Sequence, residues 1–240
     1  MNIVILAREH SARFPRKHLA MIGGKTLIAG IVEKCLRHGD TYLATGPERE
    51  NASLGNAAYA AGAYVYYESS VPEWDIHTRV ANLCKFYELE SFLLYGGDSP
   101  WIDGRMIDLV GSITPPPGGT VAALAPTAPG GIEARGIQHI SKLFWDSLCE
   151  GVPMNDRRRE EPWQFGPKTP REGLDLFVPV PWQIMTGTAI KTSCDYPFEA
   201  AIDDLIARHL GFWPETDEQI IQAYCEITKI ESVNPGVAGN

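Results

Sequence analysis

What most restricts how this 240-residue chain can fold is an alternation of short apolar runs with stretches whose apolar residues recur every three or four positions. The first run, Ile3 to Ala7, is bounded by polar residues and reads as a strand buried on both faces. A basic loop and a Gly23-Gly24 turn follow, and then Leu27, Ile28, Ile31, Val32, Cys35 and Leu36 repeat at helical spacing until Gly39. The alternation continues as strand over Thr41 to Thr45, helix from Glu50 to Ala61, strand over Tyr64 to Tyr67, helix from Trp74 to Tyr87 and strand over Phe92 to Tyr95. Strands separated by helices pair through crossovers rather than hairpins. The expectation is therefore an α/β fold with a mostly parallel sheet flanked by helices.

Beyond the fourth strand the pattern loosens. Asp103 is placed to cap a helix carrying Met106, Ile107 and Val110, and Pro115-Pro116-Pro117-Gly118-Gly119 interrupts the chain before a strand at Thr120 to Leu124. Between Ala125 and Pro181 apolar pieces are short. Ile140 to Leu148 reads as helix, and Asp156-Arg157-Arg158-Arg159-Glu160-Glu161 reads as a solvated loop or, alternatively, a flap over a substrate anion or a subunit contact. Ala189 to Ser193 reads as a last strand. A helix with Phe198, Ala201, Ile202, Leu205, Ile206 and Leu210 on one face follows, then Pro214, a final helix over Glu215 to Lys229 and a loose tail at 231–240. We expect one domain over 1–230 with a less regular insertion at 125–181.

The formal net charge of −9 argues against nonspecific nucleic-acid binding, which draws on broad basic surface. No eighteen apolar residues run together, so no membrane span is expected. The first apolar run is too short for a secretory signal and is followed, not preceded, by basic residues. A cytoplasmic protein is expected, with Cys35, Cys84, Cys149, Cys194 and Cys225 as reduced, mostly packing thiols.

Against that acidic balance, residues 8–25 carry Arg8, Arg13, Arg16, Lys17 and Lys25 with Glu9 as their one acid. Ligands in open α/β sheets bind beyond the carboxyl ends of the strands, where this loop begins. Familiar motifs are missing: Leu19 stands where a Walker A loop needs glycine, and there is no G-x-G-x-x-G, H-E-x-x-H or G-x-S-x-G. A basic loop remains, with Asp98 and Asp195 each just past a predicted strand. Polyphosphates need several cationic groups and magnesium needs carboxylate oxygens, which this set supplies. Aspartates at such positions serve as helix caps about as often.

Ala7-Arg8-x-x-Ser11-x-Arg13-x-Pro15-x-Lys17, followed by Ile22-Gly23-Gly24-Lys25-Thr26-Leu27-Ile28, resembles the N-terminal motif of cytidylyltransferases that activate sugar acids. These include the 3-deoxy-manno-octulosonate and acylneuraminate enzymes and the spore coat polysaccharide biosynthesis proteins. The resemblance continues through Leu43-Ala44-Thr45, Gly97-Asp98-Ser99-Pro100-Trp101-Ile102-Asp103 and Asp195-Tyr196-Pro197-Phe198-Glu199, which is similar to a D-T-P-x-D segment. It implies a Rossmann-like sheet of the nucleotide-diphospho-sugar transferase type that binds CTP and a sugar acceptor. Arg8, Ser11, Arg13 and Lys17 would hold the nucleotide, with Leu6 and Ala7 against base or ribose. Lys17 and Arg13 would stabilise departing pyrophosphate, and Asp98 and Asp195 would hold Mg2+. Arg79 matches an arginine near the nucleotide; its plain reading is a surface helix residue. A homodimer is also implied, through a middle segment containing Phe144, Trp145, Trp163 and Trp182, although core packing explains these aromatics as well.

The sequence departs from the family at Arg16, where many members have glycine, and at Gly96, where the octulosonate enzymes have glutamine. One rival is a glycosyltransferase using a nucleotide sugar, disfavoured because Asp98-Ser99-Pro100 lacks the second acid of an Asp-x-Asp motif. Another is a non-catalytic nucleotide-binding regulator or assembly partner.

Overall fold

The computed structural model describes residues 1–124, 137–151, 172–179, 185–186, 194–228 and 232–233. In chain order these give β1 (Asn2–Leu6), a 3-10 turn (Lys17–Leu19), β2 (Met21–Ile22), β3 (Lys25–Thr26), α1 (Leu27–Leu36), β4 (Asp40–Thr45), α2 (Glu48–Ala60) and β5 (Tyr64–Tyr67). The chain continues with α3 (Ile76–Phe86), β6 (Ser91–Gly96), α4 (Gly104–Gly111), β7 (Thr120–Leu124), β8 (Gln138–Ser141), α5 (Lys142–Gly151) and β9 (Asp175–Pro179). Last come β10 (Met185–Thr186), α6 (Pro197–Leu210), α7 (Asp217–Thr228) and β11 (Ser232–Val233).

Seven strands form the main sheet in the order β5-β4-β1-β6-β8-β7-β9. β5, β4, β1 and β6 run parallel; β8 is antiparallel to both its neighbours, and β9 is parallel to β7. The expected mostly parallel, helix-flanked sheet is what forms. The run Ile3 to Ala7 shows why it is apolar at every position: Ile3, Ile5 and Ala7 join a core with α1, α2, α4, α6 and α7, while Val4 and Leu6 join another with α3 and α5. A strand covered on both faces has no side left for polar residues.

Helix starts follow their caps. The Asp75 side chain accepts from the Thr78 amide at 3.1 Å, so α3 begins after the expected Trp74, and Asp103 caps α4 through the Arg105 amide at 2.8 Å. The helix expected from Ile140 starts only at Lys142. Ile140 instead lies in β8, paired with Phe92 of β6, and the Ser141 hydroxyl accepts from the Phe144 amide at 3.2 Å as the cap. Phe144 and Trp145 are buried among α3 and β6 residues, so they pack the core; Trp163 and Trp182 lie outside the described residues.

The expected face of α6 is also revised. Ala200, Asp203, Ile206 and Ala207 are buried, whereas Phe198, Ile202 and Leu205 are exposed. The helix is rotated so that Asp203 faces inward, where it has partners. Ser232–Val233 of the expected loose tail pair antiparallel with Met185–Thr186. The strand expected at 189–193 and the charged run at 156–161 lie outside the described residues. None of the five cysteines is in a disulfide, and burial pushes the Cys35 and Cys84 thiols up to about 12, as packing thiols require. Among the described residues no helix is long and apolar enough to cross a membrane.

Candidate active site

The chain leaves β1 where the order of the sheet reverses. β4 and β5 lie on one side of β1 and β6 on the other, so the chain from β5 to β6 returns across β1. Such a reversal opens a crevice beyond the carboxyl ends of the diverging strands. Leu6 is in register with Ala44 and Gly96, so the loops after β1, β4 and β6 start at one level. The Gly97 amide donates to the Leu6 carbonyl at 2.9 Å, and a Cβ there would lie 2.5 Å from that oxygen and 2.8 Å from the Ala7 Cβ. Only glycine lets the Asp98 loop lie directly against the basic loop.

The basic loop is closed on itself. Arg16 adopts φ 57°, its amide donates to the Glu9 carbonyl at 3.0 Å, and its guanidinium pairs with the Glu9 carboxylate at 3.1 Å. This left-handed position explains why glycine is common there in the family it resembles, since a side chain in that conformation costs about 1 to 2 kcal/mol. The Glu9 amide in turn donates to the side-chain oxygen of buried Asn51 at 2.8 Å, which fastens the loop to α2. Across the loop base, His18 Nδ1 lies 2.7 Å from the Arg8 carbonyl. Because a carbonyl only accepts, Nδ1 carries the proton. Burial, reinforced by the Lys17 charge, pulls the His18 pKa down to about 4, so the ring is neutral at ordinary pH.

Closure delivers Lys17 to the two aspartates. Its ammonium lies 2.7 Å from Asp98 Oδ2 and 3.5 Å from Asp195 Oδ1, and Arg13 reaches the same Asp195 oxygen at 3.0 Å. Arg13 also covers the Tyr196 ring at 5.5 Å. Burial alone would raise the Asp98 pKa, but Lys17 overrides it and holds the carboxyl below its usual range. Asp195 is set by the first turn of α6, where the Glu199 carboxylate accepts from the amides of Asp195 at 2.6 Å and Tyr196 at 2.9 Å. The Cys194 amide donates to the Asp98 carbonyl at 2.8 Å, joining the two aspartate segments.

A second group of charges gathers around Glu73. Arg8 stands 3.9 Å from its carboxylate, and Arg79 donates to its carbonyl. Arg79 is 2% exposed, not the surface helix residue of its plain reading, and its Nε has no hydrogen-bond partner among the described residues. Burial lowers its pKa to about 10, still well above neutrality. Of the expected site residues, Lys17, Arg13, Asp98 and Asp195 thus form one cluster, and Arg8 and Arg79 a second. Leu6 and Ala7 are buried at the strand end, and Ser11 is half-buried in the loop.

Sequence reasoning missed Glu9, His18, Asn51, Glu73 and Asp203. Asp203 alone left a signal, an acid spaced with Ala200 and Ala207 on the helix face that packs inward. Among the described residues no three His, Cys, Asp or Glu are grouped as a metal cage. The paired carboxylates do fit a hard cation such as Mg2+, which takes oxygen ligands and keeps several waters, and a protein cation already lies between them.

Cations and two carboxylates gathered at the switch point of a mostly parallel sheet define a Rossmann-like α/β fold with a ligand site beyond its strand ends. The family resemblance read from the motifs is borne out: residues 2–111 match the family model described as Cytidylyltransferase. A 3-deoxy-manno-octulosonate cytidylyltransferase of Aeromonas salmonicida is 34% identical over 110 residues, 44% of this chain and 42% of that protein. One of Aeromonas hydrophila is 29% identical over 171 residues, 67% of this chain and 64% of that one. The chain thus spans less than two thirds of the length of these curated relatives. A cytidylyltransferase structure from Leptospira borgpetersenii superposes with a TM-score of 0.72 at 16% identity, covering 95% of this chain and 93% of that one. A CMP:2-keto-3-deoxy-manno-octonic acid synthetase complexed with CTP gives 0.60 at 16% identity, covering 86% and 98%. At such identities these structures show the shared fold.

Proposed function

We propose that this chain transfers CMP from CTP to a hydroxyl of a sugar acid, with release of pyrophosphate and dependence on Mg2+. The observation that carries the reading is the Lys17 ammonium placed between Asp98 and Asp195, beside Arg13, at the switch point of the sheet. The family match over residues 2–111 supports the choice of CTP, and the similarity to 3-deoxy-manno-octulosonate cytidylyltransferases supports the sugar acid.

In this reading the acceptor oxygen bonds to the α-phosphorus, the bond from that phosphorus to the bridging oxygen breaks, and the hydroxyl proton passes to solvent. Transfers of this kind proceed mainly by positioning and charge neutralisation. Leu6 and Ala7 lie against base or ribose, Arg8 and Ser11 hold the nucleotide, and Arg79 supplies a guanidinium nitrogen to it. Arg13 and Lys17 turn from the aspartates to the departing pyrophosphate. Mg2+ held by Asp98 and Asp195 would neutralise phosphate charge when bound. A cytoplasmic homodimer is part of the same reading, and sedimentation velocity at micromolar concentration checks the dimer.

Thermal unfolding with CTP, UTP, ATP and GTP, each with and without Mg2+, tests the nucleotide half. At one hundred times its dissociation constant a ligand stabilises the native state by about 2.7 kcal/mol. A CTP-selective shift strengthened by Mg2+ is expected; equal shifts with all four, or none, would contradict it.

A further inference from the structure

The two aspartates come from segments far apart in the chain, and one buried carboxylate touches both segments. Asp203, on α6, is 2% exposed. One of its oxygens accepts from the Trp101 indole, three residues after Asp98, and the other accepts from the Cys194 thiol at 2.8 Å, one residue before Asp195. Trp101 and Cys194 are both fully buried, and the Cys194 amide bonds to the Asp98 carbonyl at 2.8 Å.

We propose that Asp203 is the positioning residue that fixes the placement of Asp98 relative to Asp195, and so tunes the metal affinity of the pair. This rests on the reading of those aspartates as metal ligands. A buried carboxylate is costly unless both oxygens are bonded, and an apolar residue of similar volume would usually serve stability as well or better. Here each oxygen bonds a different one of the two segments. A side chain on one rigid helix thereby adds a second tie between two loops already joined by the Cys194 amide and the Asp98 carbonyl, and anchors both to α6. Asp203 needs no contact with nucleotide or acceptor to act in this way.

The test is Mn2+ binding to the full chain without nucleotide, read from the electron paramagnetic resonance signal of free Mn2+, for wild type, Asp98→Asn, Asp203→Asn, Cys194→Ala and Cys194→Ser. Asp203→Asn should weaken Mn2+ binding at least fivefold, and Cys194→Ala similarly. Cys194→Ser, which keeps a donor for the carboxylate, should return within twofold of wild type. The metal-free melting shift with CTP should stay unchanged in all three. If Asp203→Asn does not fold, the contrast between alanine and serine at Cys194 carries the test. Wild-type Mn2+ affinity in Asp203→Asn and Cys194→Ala, with affinity lost in Asp98→Asn, overturns the role of Asp203 alone. Wild-type affinity in Asp98→Asn overturns the metal reading itself.

Discussion

The two ends of the crevice are built from the same kinds of residue and treat them differently. At the Lys17 end each aspartate has a cation in place: Asp98 has Lys17, and Asp195 has both Lys17 and Arg13. At the Arg79 end two arginines converge on Glu73, and one guanidinium nitrogen is buried without a hydrogen bond among the described residues. An unsatisfied buried polar group costs about 1 to 3 kcal/mol, so it persists where something else supplies the partner. In the proposed reading a ligand must open the mutual pairs of the first end, whereas the second offers it a donor.

The largest effect that separates them is on turnover. Asp98→Asn should lower kcat roughly 100- to 1000-fold under saturating Mg2+, the size found when a preorganised charge contact to a transition state is removed. A kcat within tenfold of wild type would erase the proposed role of that end. Lys17→Met should lower kcat/KM for CTP about a hundredfold, since it removes a cation from the leaving group. It should also strengthen Mn2+ binding without nucleotide, because the aspartates lose their internal partner. Arg79→Gln should act on the other end alone, raising the dissociation constant for CTP about 10- to 30-fold while kcat changes less than threefold. A matching fall in kcat would show that the two ends are not separable.

Acid should act at the Lys17 end. His18 has a folded pKa of about 4, below its ordinary 6.5, so between those values the unfolded chain binds a proton more readily. Stability is complete above about pH 6.5 and is lost as pH falls toward 4, by on the order of 3 kcal/mol. Asp98, also held below its usual range, contributes above the unfolded carboxyl value and is lost only as pH falls through its lower folded value. Denaturant titrations of His18→Asn should show a flatter pH dependence between 6.5 and 4, since asparagine can still donate to the Arg8 carbonyl. The smallest effect is expected at Arg16→Gly, which relieves the left-handed strain but loses an ion pair between an exposed guanidinium and the half-buried Glu9, for a net gain of about 0.5 kcal/mol by chemical denaturation.

The same contrast explains what was legible in the sequence. The strands at Ile3 to Ala7 and Phe92 to Tyr95 were readable because burial on both faces leaves unbroken apolar runs. Lys17, Arg13, Asp98 and Asp195 were readable because a basic loop and isolated acids stand out against such runs and because their motifs resemble those of a known family. Ile140 misled because a strand and the first turn of the next helix place apolar residues alike over so short a piece. Glu73 and His18 left no trace, since their roles come from a loop fold and a ring tautomer that no local periodicity records. Arg16 carried its meaning only once its φ was known.

The central claim is most directly tested by pyrophosphate release from CTP and Mg2+ with 3-deoxy-manno-octulosonate as acceptor, in wild type and Asp98→Asn. Release that requires both CTP and the sugar acid, and that falls at least a hundredfold in the variant, is the predicted result. CTP binding without pyrophosphate release from it in the presence of that acceptor or any other sugar acid would contradict the account.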